Sequence, residues 1–234
     1  MIHLIIATRN AHKVEEIAAI VGRHFTCWPM TRLGSVPELI EDGATFEENA
    51  TAKAIQLASW LASRPEAIAR VGSTGNLLVV ADDSGLEVDQ LNGAPGVRSA
   101  RFAALDTASP GNSNDADNNA KLMRLLKDVP RSKRTARFRC VLAVVAIPST
   151  AGRKSASREE TPVRDRVRLF EGVCEGCLAS VPRGVRGFGY DPLFVPSGYR
   201  RTFGELDDSV KSRISHRARA VARLKRALLK ELGS

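Results

Sequence analysis

Two adjacent carboxylates, Asp82 and Asp83, follow the apolar run Leu77-Leu78-Val79-Val80-Ala81 and precede Ser84 and Gly85. Acids at the end of a buried-looking strand are costly unless something cationic meets them. Hard oxygen ligands of this kind suit Mg²⁺, which commonly binds through one or two carboxylates plus substrate phosphates. In open α/β sheets, ligands gather at the carboxyl ends of strands, where this pair falls. A glycine just behind lets the backbone turn sharply and approach a ligand closely. The competing reading is an Asx turn that only caps a strand. Other segments have to decide.

Four such segments stand out. Thr8-Arg9-Asn10-Ala11-His12-Lys13 is a strand-to-helix junction, where backbone N–H groups with Thr8, Asn10 and Lys13 make an anion site. It lacks the glycines of a Walker loop or a dinucleotide fingerprint, and Asn10 as a plain N-cap explains it almost as well. Glu41-Asp42-Gly43-Ala44-Thr45-Phe46-Glu47-Glu48-Asn49-Ala50 is a second acidic stretch. Gly187-Phe188-Gly189-Tyr190-Asp191-Pro192 sets two aromatics and an aspartate among glycines, fit to stack a base and hydrogen-bond its edge. A packed turn with a buried aromatic plug is the alternative there. Lys211 and Ser215-His216-Arg217 complete the set, although a lone His216 reads equally as a capping or core histidine.

Strand and helix patterns alternate in a way that positions these segments. His3–Ala7 reads as a strand, and Val14, Ile17, Ala18 and Val21 fall at helical spacing up to Gly22. Phe25–Met30 is a second strand. Thr45 with Glu48 forms a capping box ahead of a helix carrying Ala54, Leu57, Ala58 and Leu61. Leu77–Ala81 and Leu86–Leu91 read as separate strands around an acidic turn. Pro110–Asn114 leads into a helix with Leu122, Met123, Leu125 and Leu126, and Arg134–Ile147 is a long strand. Residues 149–165 are polar and read as a flexible surface insertion. Strands at Val167–Val173 and Leu193–Val195 precede a final amphipathic helix that Ser215 caps, with Lys211 in a separate short turn. The order fits one mixed α/β domain over residues 1–234, a long mixed sheet flanked by helices.

The bulk properties narrow the class. The 234 residues suffice for a core without staples, and no apolar run nears the roughly 20 residues of a membrane helix. The N-terminus reads as a first strand and lacks a basic leader, so the expected location is the cytoplasm. The net charge is +9, concentrated at Arg131–Arg139 and Lys211–Lys230, which suits nucleic acid or a small polyanionic substrate. Aromatics are only 5% and do not interleave the basic stretches, so no stable nucleic-acid complex is expected. Cys174-x-x-Cys177 could be a redox pair or half a zinc site. A strand there would turn the two thiols to opposite faces, and buried apolar cysteine is the preferred reading.

In this order, and across nearly the whole chain, the segments resemble the inosine triphosphate pyrophosphatase family. Its pattern of S/T-x-N-x-x-K, T-F-x-E-N-A, A-D-D-S-G-L-x-V-D-x-L-x-G-x-P-G-x-x-S-A-R, G-F-G-Y-D-P and S-H-R is met almost letter for letter. Arg9 stands where many members have glycine, and Arg64–Gly75 and Ser149–Asp165 look expanded. The resemblance implies two lobes with a nucleotide cleft, a homodimer, Mg²⁺ dependence, and cleavage of purine nucleoside triphosphates between the α- and β-phosphates. It further implies that Asp83 is the catalytic carboxylate, with Asp82 and Glu41 assisting at the metal. Thr8 to Lys13 would hold the triphosphate (Arg9, Asn10, Ala11 and His12 included), Ser84 would touch it, and Lys211 would lie near it or the base. Phe188, Gly189, Tyr190, Asp191, His216 and Arg217 would hold the base.

Overall fold

The computed structural model describes residues 1–72, 76–106, 111–147 and 166–232. Its strands are β1 (Ile2–Ile6), β2 (Phe25–Pro29), β3 (Asn76–Val88), β4 (Thr135–Ile147), β5 (Arg168–Leu178) and β6 (Phe194–Pro196). They form one six-stranded sheet in the order β2-β1-β3-β4-β5-β6. Strand β1 pairs in parallel with both β2 and β3, and β6 pairs antiparallel to β5, so the sheet is mixed. The helices are α1 (Ala11–Val21), α2 (Phe46–Ala62), α3 (Pro65–Ala69), α4 (Asp115–Leu125), α5 (Asp208–Ile214) and α6 (His216–Leu232). The mixed α/β domain expected from the sequence is what is found. Residues 149–165, read as a surface insertion, lie outside the described residues.

Local chemistry explains most boundaries. Asn10 caps α1 by accepting from the Lys13 N–H, and Gly22 (φ 78°) ends the helix. Thr45 and Glu48 form the complete capping box of α2. Ser215 accepts from the Ala218 N–H at 3.1 Å, so it caps α6 and separates it from α5, which carries Lys211.

One expectation is overturned. Residues Asp82–Gly85 do not turn between two strands, because β3 runs unbroken through them to Val88. Both acids are buried there, Asp82 at 0% and Asp83 at 6% exposure, and each has a cation beside it. Gly85 is not in the left-handed region and serves close packing instead. A Cβ on it would lie 2.4 Å from Ser99 Oγ and 2.5 Å from the Gly96 carbonyl. The strand ends where Asp89–Leu91 winds into a 3-10 turn.

The described residues divide into two compact units. One holds those within Met1–Asp83, Val141–Phe170 and Val221–Ser234, and the other those within Ser84–Cys140 and Glu171–Ala220. The first buries Leu4, Ile5 and Ile6 of β1, Ile17 of α1, Leu57 and Leu61 of α2, and Leu224 of α6. The second is built on Phe138, Phe194, Phe203, Leu86, Leu122 and Leu193, with the Phe138 and Phe194 rings 4.7 Å apart. Its basic stretch is largely compensated internally. Buried Arg134 donates to the carbonyls of Leu126, Val129 and Ala179. Arg137 pairs with Asp89 and Glu175, and Arg139 with Glu171. Those arginines are not a free phosphate-binding face. No helix among the described residues is long and apolar enough to cross a membrane.

Candidate active site

Strand β1 stops one residue pair before the acids. Ile6 lies opposite Val80, and the Ala7 N–H donates to the Val80 carbonyl at 2.8 Å. Beyond that rung the chain leaves β1 through Thr8 and Arg9 into α1, while β3 continues through Asp82 and Asp83. Thr8 Oγ1 accepts from the Asn10 N–H at 3.2 Å and shapes the turn. Lys13, in the first turn of α1, places Nζ 2.6 Å from Asp82 Oδ1. The acid that would be costly to bury is thereby paired. Asn10, Ala11 and His12 are exposed, and the positive end of the α1 dipole there suits an anion. Arg9 is tied elsewhere, donating to the Val36 carbonyl at 2.8 Å.

Asp83 is held by two residues of α2 that the sequence reading did not single out. Asn49 Nδ2 donates to Asp83 Oδ2 at 3.2 Å, while Asn49 Oδ1 accepts from the Gly43 N–H at 2.8 Å. Lys53 Nζ lies 3.3 Å from Asp83 Oδ1, 3.0 Å from Glu41 Oε2 and 2.8 Å from the Asp82 carbonyl. Gln56 stitches the loop before Glu41 to the same helix through both backbone groups of Ile40. A signal for Asn49 and Lys53 was present. They sit on the apolar stripe of Phe46, Ala50, Ala54, Leu57 and Leu61, at 1% and 4% exposure. Polar residues on the buried face of an amphipathic helix need partners inside.

Burial holds the Asp83 carboxyl above the ordinary aspartate range, against the pull of Lys53 and Lys13, and Glu41 adds to the rise. Asp83 and Glu41 converge on a single ammonium, so two carboxylate oxygens already face one cation. That donor set fits Mg²⁺, which needs one or two carboxylates with phosphate oxygens completing its shell. Asp82 instead directs its carboxylate to Lys13. Among the described residues no three His, Cys, Asp or Glu side chains converge as a ready metal cage.

In the second unit, Ser84, Phe188, Asp191, Lys211 and Arg217 come together. Gly187 (φ 74°) and Gly189 (φ 63°) adopt left-handed backbone that other residues resist. At Gly187 a Cβ would also fall 2.0 Å from Asp191 Oδ2. That oxygen accepts from the Phe188 N–H at 2.8 Å and from Lys211 Nζ at 2.5 Å. The half-buried Phe188 ring has Lys211 Nζ 4.8 Å and Arg217 Cζ 5.7 Å from its centre. Arg217, 1% exposed, donates to Ser84 Oγ at 2.9 Å.

Two expected contacts have their rings in the core. The Tyr190 hydroxyl donates to the Ser99 carbonyl at 2.9 Å, and burial raises its pKa. The His216 ring stacks on Phe138, 4.7 Å between centres. The two thiols of the C-x-x-C pair differ, with Cys174 buried and Cys177 half-buried. Burial pushes the Cys174 thiol up to about 11.

Residues 4–227 match the Ham1 family. The chain is 43% identical over 225 residues to the dITP/XTP pyrophosphatase of Geobacillus kaustophilus, covering 96% of this chain and 93% of that one. Its identity to the dITP/XTP pyrophosphatase of Desulforamulus reducens is 42% over 222 residues, 93% of this chain and 91% of the other. The HAM1 protein of Coxiella burnetii superposes with a TM-score of 0.71 at 34% identity, covering 98% of this chain and 100% of that one. The Staphylococcus aureus Ham1 protein gives 0.72 at 30% identity, covering 98% and 99%. The resemblance read from the motifs therefore extends over nearly the whole length of the chain and to its backbone, and the chain belongs to the Ham1 family.

Proposed function

We propose that this protein hydrolyses deaminated purine nucleoside triphosphates (dITP, XTP and ITP) to the nucleoside monophosphate and pyrophosphate, with Mg²⁺ as cofactor. The observation that carries the reading is the buried Asp83, fixed through both oxygens by Asn49 and Lys53 beside Lys13 and the start of α1. Phosphoanhydride hydrolysis asks of a protein chiefly positioning and charge neutralisation, with an oriented water. Asp83 orients that water and takes its proton. Lys13 and the start of α1 hold phosphate oxygens, and Lys53 holds Asp83 and Glu41 in place. Asp83 and Glu41 would hold Mg²⁺, which would supply further neutralisation of phosphate oxygens and a more acidic water.

Base choice falls to the second group. Hypoxanthine and xanthine offer an N1–H donor and an O6 acceptor, where adenine offers the reverse. Arg217 donates to O6, Asp191 accepts from N1–H, and Phe188 stacks on the ring. Adenine leaves buried polar groups facing wrong partners, a mismatch that discriminates by roughly 10⁴-fold in sites of this kind. We take the active species to be a homodimer.

The test is pyrophosphate release from dITP, XTP, ITP, dATP, dGTP and UTP, with Mg²⁺ and with chelator. Rapid release from dITP, XTP and ITP against slow release from dATP and UTP, lost on chelation, is expected. Equal turnover of dATP and dITP, or orthophosphate as the product, overturns the reading.

A further inference from the structure

The loop carrying Phe188 and Asp191 is gripped from outside by helix α4. Asp115 Oδ2 accepts from the Gly189 N–H at 2.6 Å, and Asn119 Nδ2 donates to the Gly189 carbonyl at 2.8 Å. Both polar groups of one peptide residue are thus held by side chains one helical turn apart, on the same face of α4. The grip is itself braced. Asn119 Nδ2 also donates to the Asp115 carbonyl at 2.8 Å, and Asp115 sits in the first turn of α4, where a carboxylate is favoured.

Asn119 is 8% exposed, and its Oδ1 is buried with no hydrogen-bond partner among the described residues. An unsatisfied buried acceptor costs stability, and the two bonds made by Nδ2 offset that cost. What Asn119 provides is orientation. Gly189 follows Phe188 directly, and with its left-handed φ no side chain of its own anchors the turn. The neighbouring Tyr190 hydroxyl is fixed on Ser99 and the Phe188 N–H on Asp191. With Gly189 clamped between them, the loop has little freedom to rotate.

We infer that Asp115 and Asn119 are positioning residues for base recognition. They hold the Gly187–Asp191 turn so that Phe188 and Asp191 meet the purine in one orientation. This rests on the function proposed above. Neither residue touches the reacting atoms, and their effect belongs to binding and selectivity. Misplacing a recognition group by about 1 Å costs on the order of 10²-fold.

The experiment compares Asp115→Ala, Asp115→Asn and Asn119→Ala with the parent enzyme, all with Mg²⁺, by steady-state kinetics on dITP and dATP. Asp115 is exposed, so its variants fold whatever happens at the buried Asn119. For Asp115→Ala we expect kcat/KM for dITP to fall at least tenfold, mainly through KM, with dATP little changed. Asp115→Asn, whose amide oxygen still accepts from Gly189, restores most of the difference. Asn119→Ala follows Asp115→Ala. Faster amide exchange at Gly189 in Asp115→Ala reports the released clamp independently of turnover. An unchanged dITP-to-dATP ratio in Asp115→Ala, or an equal loss in its Ala and Asn variants, overturns the inference. A parent enzyme that does not release pyrophosphate from dITP overturns the function instead, and the exchange measurement still judges the clamp.

Discussion

Asn49 donates to Asp83 across 3.2 Å while its own oxygen is occupied by the Gly43 N–H, so neither the amide nor the carboxylate can rotate freely. Asn49 therefore decides where Asp83 points. Replacing it with Ala removes one of the two groups that hold the carboxylate, and the bond to Gly43 with it. We expect Asn49→Ala to lower kcat by about 10²-fold with a smaller change in KM, the usual scale for a misplaced catalytic group. Single-turnover kinetics on dITP check this, and a KM effect without a kcat effect would place Asn49 on the substrate instead.

Lys53→Met removes the cation shared by Asp83 and Glu41. Breaking a buried pair from one side leaves an uncompensated charge and costs about 3–5 kcal/mol. Urea titration should show that loss. If the same two carboxylates hold Mg²⁺, the ion binds the folded state preferentially and stabilises it by mass action. Added Mg²⁺ should then raise Tm more in Lys53→Met than in the parent. Identical shifts in the two proteins would place the metal elsewhere.

Gly85→Ala tests the unbroken strand. The added methyl meets Ser99 Oγ and the Gly96 carbonyl far inside contact distance, and Ser99 Oγ already bonds the Leu86 N–H and that carbonyl. Overpacking of this kind costs about 1–3 kcal/mol. A turn at Asp82–Gly85 would tolerate Ala much better. A thermal melt within about 1 °C of the parent, where 1 kcal/mol shifts a chain of this size by ~2–4 °C, would contradict the strand.

Cys174 should be chemically silent. Thiolate is the reactive species, and a thiol pushed up to about 11 holds almost none near neutrality. Alkylation of the native enzyme at pH 7.5, read by peptide mass, should leave Cys174 unmodified, and labelling should rise as pH climbs toward 11 or on unfolding. Labelling at the unfolded rate at pH 7.5, or stoichiometric zinc binding, would revive a redox or metal role for the C-x-x-C pair.

Features set by nearby residues were legible in the sequence. The Thr45–Glu48 capping box and the Ser215 cap join a side chain to a backbone N–H three residues away, so the motif and the structure coincide. The course of β3 was not legible in that way. Whether Asp82-Asp83-Ser84-Gly85 bends or runs straight depends on Lys13 and Lys53, remote in sequence and supplied by two helices. The pairing of the basic stretch was not legible for the same reason, since Arg137 and Arg139 meet their acids only across strands. His216 and Tyr190 carry family motifs, but their rings pack into the core. Lys53 was readable from its place on an apolar stripe and was passed over.

Because successive side chains of a strand diverge, Asp82 and Asp83 meet different partners although they are neighbours of one type. Chemically they are duplicates, yet neither is a spare for the other. Under the role proposed for Asp83, Asp82 could not stand in for it, since Asp82 faces Lys13 on the other side of the strand. A one-residue deletion nearby would exchange the two sets of partners and lose both. A replacement carboxylate would instead have to reach the place of Asp83 from its own neighbours, α2 or the Glu41 loop.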